Sequence, residues 1–531
     1  MEPLDPELVG ALLRPEAYPA DARAGEGIAH VQTHLSHVFL LRERVYKLHK
    51  AVRFPFVDFS TRALRNEDSL RELRLNRRLA AEVYLGVAAL RDGTVGAPGE
   101  ELAPAGRDGA VFEHAVVMKR LTAGRDAQSL LERGELSPAH VDAIAGRIAE
   151  FHAGHGLGAP APFAPAEWRE RVLAPVRETF SDLAASGRLA PRARAALARS
   201  EAIAAAEGPR FEARRAAGRI VDGHGDLHLQ HVWFEHPGEP PLMIDCLEFR
   251  DDYRQIDAAA EVAFLAMDLA YRGRRDLGER FLRRYAEASD DFDLYGVVDF
   301  FFAYRAAVRA KVASLAARDP DVAEAQRRLA AESADRHLVL AEHALAPRAS
   351  GCIVAVGGVV GTGKSTVAAA LADATAGVVI SSDRVRKRQA ALPATARGHG
   401  ELYTEERSRQ TYSGLAERAL PVVRSGRTAI LDATWARAAL RRELVGFARE
   451  RGLRAFLVET VCDPSVARAR LAARAREGTD PSDAGPERYA PSAAGFEPPR
   501  EWPAETRVAI PTDRASWRAE LESLARRLLR L

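Results

Sequence analysis

The residues of this chain whose chemistry is easiest to name lie at 358–366 and read Gly358-Val-Val-Gly361-Thr-Gly363-Lys364-Ser365-Thr366. The spacing G-x-x-x-x-G-K-[ST] follows an apolar run and opens a helical pattern, the context in which such a loop cradles a polyphosphate. Gly358, Gly361 and Gly363 allow backbone N–H groups to converge on phosphate oxygens, and a helix N-terminus adds favourable positive potential. Lys364 suits the β- and γ-phosphates and Ser365 suits Mg²⁺, with Thr366 completing the nucleotide-binding set. The next strand-like run ends in Ser382-Asp383-Arg384-Val385-Arg386. An acid and a base three apart at the carboxyl end of a sheet strand lie where the ligands of parallel sheets bind. Asp383 is a candidate acceptor for the proton of an attacking hydroxyl, and Arg386 for steadying the transferring phosphoryl group or holding substrate. Asp432, ending TAILDAT, suits a second carboxylate near Mg²⁺, acting through water. Arg470 and Arg474, four apart on one helix face, precede a Gly/Pro-rich stretch (477–503) and are candidates to clamp phosphates when a lid closes. Each of these also has a plainer reading: a solvated helix N-terminus for Asp383 and Arg386, a capping role for Asp432, a solvated arginine face for Arg470 and Arg474.

A second constellation lies in the first half, where residues 224–233 read HGDLHLQHVW. Its pieces fall in the chain order of a kinase-like phosphotransferase. Lys47 in the run RVYKLHK, with Lys50 as the alternative, is the candidate to pair the α- and β-phosphates, and Glu72 to hold that lysine by an ion pair. THLSH at 33–37 occupies the place of a phosphate-covering turn but has no glycine, so Ser36 and backbone amides are left to do that work. EHAVVMKRL (113–121) falls where the adenine would be received. Asp226 is the candidate base for an acceptor hydroxyl, and Asp245, ending the strand-like PLMID, the candidate Mg²⁺ ligand between the β- and γ-phosphates. Lys47 and Glu72 alone read equally well as surface charges; HGDLH followed by a strand-ending Asp is far more specific. At the position where such a loop offers a metal-binding Asn stands His231. Imidazole is a softer ligand than an amide oxygen and suits Mn²⁺ or Zn²⁺ better than Mg²⁺.

These residues need elements to hold them. Residues 31–50 pair apolar runs around a charged turn at Arg42–Arg44, as a β-hairpin does. From Ser60, a plausible N-cap, a long amphipathic helix is expected to Tyr84, with strands near 85–91 and 111–119. The pattern is then helical over 137–154, 167–184, 190–206, 255–271, 276–288, 293–316 and 321–345. Two apolar strands, RIVDG and PLMIDCLEF, interrupt it and bracket HGDLHLQH. After a linker at 346–350 the chain alternates strand and helix, which argues for a parallel sheet covered by helices. The expected architecture is therefore α/β and multidomain. A bilobal, kinase-like α+β domain spans 1–345, with a small lobe at about 25–120 and a helical lobe at about 121–345. A P-loop domain follows at 351–531.

Charge divides along the same line: 351–531 carries 29 Lys+Arg against 21 Asp+Glu, and the remainder 47 against 53. A basic C-terminal part suits phosphate binding and is too mild to diagnose nucleic acid. Cys246, Cys352 and Cys462 lie in or beside apolar runs with no zinc or disulfide spacing, so they read as small buried residues in a reducing compartment. The start MEPLDPELVG is unlike a signal peptide and no window approaches a 20-residue apolar span, so a cytoplasmic protein is expected.

The C-terminal motifs resemble P-loop small-molecule kinases, including gluconate and shikimate kinases, and SSDRVR and LDATW look like the kinase half of polynucleotide kinases. That resemblance implies a five-stranded parallel sheet with a lid. The N-terminal set resembles the aminoglycoside phosphotransferase family, whose loop reads HGDLHxxN; His224, Asp226 and His228 match and His231 departs. The macrolide phosphotransferases of that family are similar to this sequence at the departure itself. The whole chain resembles a bacterial group that fuses an aminoglycoside-phosphotransferase-like domain to an AAA-type P-loop kinase domain, carried by THLSHVFL, YKLHKAVRFPFVDFST, HGDLHLQHV, IDCLEF, GGVVGTGKST and SSDRVRK.

The expected function is a bifunctional ATP-dependent kinase that uses Mg²⁺, with Mn²⁺ as an option at the N-terminal site. Its acceptors would be small hydroxylated molecules such as a sugar, an amino sugar, or an aminoglycoside- or macrolide-like compound. One alternative makes the N-terminal part a ligand sensor that regulates the P-loop kinase. Another has the C-terminal domain phosphorylate nucleic-acid 5′-hydroxyls, although no aromatic-basic platform for stacking bases is visible. Asp257, Glu261 and Asp268 on one helix either line a cation-preferring acceptor site or form a solvated acidic face. Arg305 and Arg309 would instead favour an anionic acceptor. Oligomeric state is not written in the sequence.

Overall fold

Alternating polarity and a charged turn build the first strands. In the computed structural model, which describes every residue except 1, 3, 5, 22, 55, 56, 105–111, 186, 394, 395, 397–399, 478–484, 530 and 531, β2 (Ser36–Leu40) and β3 (Arg44–His49) form the expected hairpin, with Leu40 opposite Val45 and Ser36 opposite His49. A further strand, β1 (Ala29–Gln32), pairs with β2 and is largely exposed, as an edge strand permits. Helix α1 (Arg62–Ala80) is capped by Thr61, whose side chain accepts the Leu64 N–H, one residue after the expected Ser60. It stops at Ala80 rather than Tyr84 because Val83 and Tyr84 are buried where β4 (Tyr84–Arg91) begins. With β5 (Thr94–Val95) and β6 (Glu113–Lys119) the sheet runs β1-β2-β3-β6-β4-β5, antiparallel throughout. α1 packs against β4 and β6 on one face, and Leu12 and Tyr18 cover the other with Phe39, Tyr46 and Leu48.

Beyond this sheet the chain is mostly helical. Helix α2 (Pro138–Gly154) starts at a Ser137–His140 capping box. α3 (Pro165–Ala184), α4 (Ala190–Ala206) and α5 (Gly208–Ala216) follow. The two runs expected to bracket the histidine-rich loop do flank it, but they pair elsewhere. β7 (Ile220–Asp222) joins β10 (Gln255–Asp257), while β8 (Val232–Trp233) joins β9 (Leu242–Met243). Residues 255–257 are thus strand, not the first turn of a helix: Asp257 is needed as a buried ion-pair partner of Arg214, and α6 (Ala258–Tyr271) begins after it.

Two compact units divide the chain: Met1–Pro175 with Glu212–Leu269, and Val176–Phe211 with Ala270–Leu531. The second unit holds α7 (Arg275–Ser289), α8 (Val298–Ala316) and α9 (Glu324–Leu345), with α8 and α9 packed along each other. It also holds a five-stranded parallel sheet: β11 (Cys352–Gly357), β12 (Val378–Ser381), β13 (Ala429–Asp432), β14 (Arg454–Val461) and β15 (Arg507–Pro511), in the order β12-β13-β11-β14-β15. The helices between its strands are α10 (Lys364–Thr375), α11 (Ser382–Gln389), α12 (Glu405–Arg424), α13 (Ala438–Glu450) and α14 (Pro464–Glu477), with α15 (Trp517–Leu529) closing the chain. Part of the stretch expected to form a lid, 478–484, lies outside the described residues. Among the described residues no helix is long and apolar enough to cross a membrane.

Buried ion pairs bind α7 and α8 to this sheet. Arg427, just before β13, is 8% exposed and bonds to both oxygens of Glu279 on α7 (2.8 and 3.0 Å) and of Asp299 on α8 (2.9 and 3.0 Å). Burial works against the guanidinium charge, but the two carboxylates outweigh it and hold the Arg427 pKa well above its ordinary value. Arg283 donates to Asp373 of α10 at 2.6 Å, and Arg418 of α12 pairs with Asp290 at 2.7 Å. Removing one partner of such a group leaves uncompensated buried charge, so Arg427→Leu should cost about 3–5 kcal/mol. The check is the urea midpoint of the second unit, followed by tryptophan emission; an unchanged midpoint would refute the account.

Candidate active sites

The first site is assembled from both ends of unit one. β3 alternates, so Lys47 and His49 project from the same face, toward α1. Lys47 Nζ donates to Glu72 Oε1 at 3.0 Å and to Asp245 Oδ1 at 3.3 Å. Burial would lower the Lys47 pKa; Glu72 and Asp245 more than offset it and raise it well above the usual value. In return the Lys47 ammonium holds the Asp245 carboxyl down at about 2. Asp245 adopts a left-handed backbone (φ 61°), strained for a non-glycine residue by about 1 kcal/mol or more. The strain is held by neighbours: the Asp245 N–H donates to Tyr84 Oη (3.1 Å) and the Cys246 N–H to Asn76 Oδ1 (2.7 Å).

Asp226 and His231 complete the group. The Asp226 carboxylate lies 3.5 Å from His228 Nε2 and 3.6 Å from His231 Nδ1. Burial alone would raise its pKa; the His228 hydrogen bond and the surrounding imidazoles hold it well below the carboxylate range, so it is ionised. His231 Nδ1 is 2.9 Å from the Asp226 carbonyl, which can only accept, so Nδ1 carries the proton. Burial lowers the His231 pKa and keeps the ring neutral. Its bare Nε2 therefore faces Asp245 Oδ2 at 3.4 Å, two acceptors with no hydrogen between them. That is a donor set suited to a divalent cation, and Nδ1–H···O=C is the second-shell contact that aims such a ligand.

The loop carrying Asp226 hangs from α6. Glu261 accepts the His224 N–H at 2.7 Å and the Gly225 N–H at 3.0 Å, and Asp268 accepts the Leu229 N–H at 3.0 Å. Gly225 has φ 85°, and a Cβ there would lie 3.0 Å from the Tyr253 carbonyl oxygen, so only glycine permits this approach. Asp257, Glu261 and Asp268 are thus buried supports and structural partners, neither an acceptor-site lining nor a solvated face. Their signal was present in the sequence: acids in the otherwise apolar AAAEVAFLAMDLAY must be buried, and buried acids need donors.

Two other expected residues are placed differently. Ser36 is fully buried with its hydroxyl 3.3 Å from His49 Nδ1, turned into the lobe rather than toward a nucleotide. Lys50, the alternative lysine, instead pins the covering turn by donating to the Thr33 carbonyl at 2.7 Å.

The second site gathers at the carboxyl ends of the parallel strands. Gly358, Gly361 and Gly363 all have positive φ, and a Cβ on Gly358 would meet Thr460 O and Oγ1 at 2.5 Å. Lys364, opening α10, donates to the Val359 carbonyl at 3.1 Å, with Ser365 and Thr366 exposed beside it. Burial lowers the Lys364 pKa; Asp432 at the end of β13 and Asp383 in the first turn of α11 oppose that fall, and Arg474 adds to it. Arg386 lies 3.6 Å from Asp383 and 4.7 Å over the Tyr403 ring. Arg470 is spent on Thr512, bonding its hydroxyl and carbonyl at 2.9 Å each.

Comparison with known proteins follows the same division. A model described as "Phosphotransferase enzyme family" matches residues 42–301 and one described as "AAA domain" matches 353–499. Over 420 residues the chain is 36% identical to an uncharacterized protein of Mycobacterium tuberculosis, spanning 76% of this chain and 78% of that one. The chain belongs to this phosphotransferase family with an appended AAA domain. The phosphotransferase is an ATP-dependent kinase. An uncharacterized protein of Mycobacterium bovis matches it to the same extent. Among solved structures it is similar to a choline kinase from Cryptosporidium parvum (11% identity, TM-score 0.40, covering 64% of this chain and 95% of that chain). It is also similar to a gluconokinase from Sinorhizobium meliloti (21% identity, TM-score 0.25, covering 34% and 93%).

Two expectations follow for this phosphotransferase. His231→Asn should retain turnover while the ratio of Mn²⁺- to Mg²⁺-supported kcat/KM falls about tenfold; an inactive variant that still binds nucleotide would contradict a simple ligand role. His49 and His224 are both held at about 3 by burial, against 6.5 for an ordinary histidine. Between those values the unfolded chain takes up protons at these two positions that the folded unit does not, so the stability they contribute is full above pH 6.5 and falls as pH drops toward 3. The urea midpoint of the first unit should therefore lose ground relative to that of His224→Asn as pH falls through that window; parallel profiles would refute the account.

Proposed function

We propose that the chain is a bifunctional phosphotransferase acting on small hydroxylated molecules, with one activity in residues 1–345 and a second in 351–531. The observation that carries the N-terminal half is a continuous run of contacts, 3.0 to 3.6 Å, through Glu72, Lys47, Asp245, His231 and Asp226. Lys47 orients the α- and β-phosphates and is itself held by Glu72. Asp245 and His231 hold a divalent cation, Mg²⁺ or Mn²⁺, which when bound neutralises phosphate charge. Asp226 receives the acceptor hydroxyl. The oxygen attacks the γ-phosphorus, the bond to the β–γ bridging oxygen breaks, ADP departs, and the hydroxyl proton passes to an Asp226 oxygen. A strongly ionised Asp226 is a weak base, which suits a loose transition state in which the attacking oxygen gains positive character late. Its work is chiefly to aim the hydroxyl.

In the C-terminal half the phosphates rest on backbone N–H groups of Gly358–Lys364 and on Lys364, with Ser365 and Asp432 serving the cation. Asp383 faces the acceptor hydroxyl, and Arg386 holds acceptor or phosphoryl oxygen. Arg474 stands near enough to Lys364 to share the phosphate charge, as its effect on that lysine supports.

The test is transfer from γ-labelled ATP into a fractionated bacterial metabolite extract by the full chain, Asp226→Asn and Lys364→Ala. One labelled product should fall by about 10²-fold or more only in Asp226→Asn, and another only in Lys364→Ala. If every product survives Asp226→Asn and disappears in Lys364→Ala, the N-terminal half is a sensor and the bifunctional reading fails.

A further inference from the structure

Behind the Lys47–Glu72 pair lies a buried group that the proposed mechanism does not use. Across the hairpin Ser36 sits opposite His49 and Val38 opposite Lys47. The His49 side chain is 1% exposed. Its Nδ1 is 3.3 Å from Ser36 Oγ; its Nε2 is 3.3 Å from Asp68 Oδ2 and 3.7 Å from Glu72 Oε2. Asp68 and Glu72 are one helical turn apart on α1 and present their oxygens to the same ring. His49 Nε2, Asp68 Oδ2 and Glu72 Oε2 form no hydrogen bond, so these three buried polar atoms have one another as close polar company. The ring therefore stands between the two acids at its Nε2 edge and the Ser36 hydroxyl at Nδ1.

Glu72 thus meets a polar group at each oxygen: Oε1 is bonded by Lys47 at 3.0 Å, and Oε2 lies 3.7 Å from the His49 edge. Beyond Ser36 the contacts reach the covering turn, since the Ser36 N–H donates to Thr33 Oγ1 at 2.9 Å. We propose that His49 is a positioning residue for phosphoryl transfer at the N-terminal site, tying the glycine-free covering turn through Ser36 to Glu72 and so fixing the direction of Lys47. The proposal rests on the phosphotransferase reading of that site. A turn without glycine cannot mould itself to phosphates by backbone freedom, and anchorage to the lysine's own partner gives it a set position instead.

The experiment uses the full chain carrying Lys364→Ala, so that binding of a fluorescent ATP analogue and Mg²⁺-dependent ATP hydrolysis report the N-terminal site. His49→Asn keeps a group near Nδ1 and loses the reach to Glu72; His49→Gln keeps a donor near Nε2. His49→Asn should raise the KM for ATP and weaken analogue binding by about tenfold, and His49→Gln should stay within about threefold of the parent. In a Glu72→Gln background the same His49→Asn change should add less than about twofold, because it acts through Glu72. Ser36→Ala, which opens almost no cavity, keeps the question answerable should His49→Asn not fold: it should raise KM by about threefold in the parent and leave it unchanged in Glu72→Gln. Equal losses in both backgrounds, or a folded His49→Asn that matches the parent, overturn the positioning role while Asp226→Asn still abolishes hydrolysis. If the parent binds no analogue and Asp226→Asn changes nothing, the phosphotransferase reading fails, and the positioning role with it.

Discussion

A lysine ammonium taken out of water is costly unless charge of the opposite sign meets it, and the first unit is arranged around meeting that need at Lys47. Glu72 comes from a helix packed on the sheet, and Asp245 from a strand end nearly two hundred residues later in the chain. The lysine cannot be satisfied until α1 lies on β4 and β6 and the loop after β9 reaches the same place. The ion pair is therefore both a condition of folding and the means by which β3, α1 and the loop after β9 acquire a fixed separation. Pairing also distributes charge: the ammonium depresses Asp245, leaving it anionic and available to a cation.

The same logic explains the odd histidine. An amide at position 231 would offer a hard oxygen. Imidazole offers one nitrogen to the Asp226 carbonyl and the other toward Asp245. Because the carbonyl fixes the tautomer, the ring needs no further partner to point its lone pair correctly. Glu261 and Asp268 then fix the loop that carries Asp226 from behind through backbone N–H groups.

Much of this was legible in the sequence, and what was not has physical causes. The phosphate loop and the five parallel strands could be read because each depends on local spacing or on a strong apolar run, and the Lys47–Glu72–Asp245 set because its pieces fall in a kinase-like chain order. β1 was missed because an edge strand buries little and carries no alternation. The helix expected from 255 lost its first turn to a strand because Asp257 answers Arg214, a partner invisible along the chain. Ser36 was assigned outward from its place in the turn. Its direction is set by the strand register opposite His49, and period-two alternation shows the face of a residue only once that register is known. Glu261 and Asp268 were readable as buried, yet which N–H groups they serve depends on a close approach that Gly223 and Gly225 allow.

On the proposed reading the two sites meet phosphate by opposite means. At 358–366 positive potential comes from backbone and a helix end, so the motif is compact and survives almost any surroundings. At Lys47 it comes from one side chain whose counter-ions, Glu72 and Asp245, must be brought from separate elements, so the motif is dispersed and every member depends on packing. This is why the first site carries a strained Asp245, acids buried under a loop and a histidine behind a glutamate. At His231 the neighbouring Asp226 carbonyl and Asp245 carboxylate stand where an imidazole can face both.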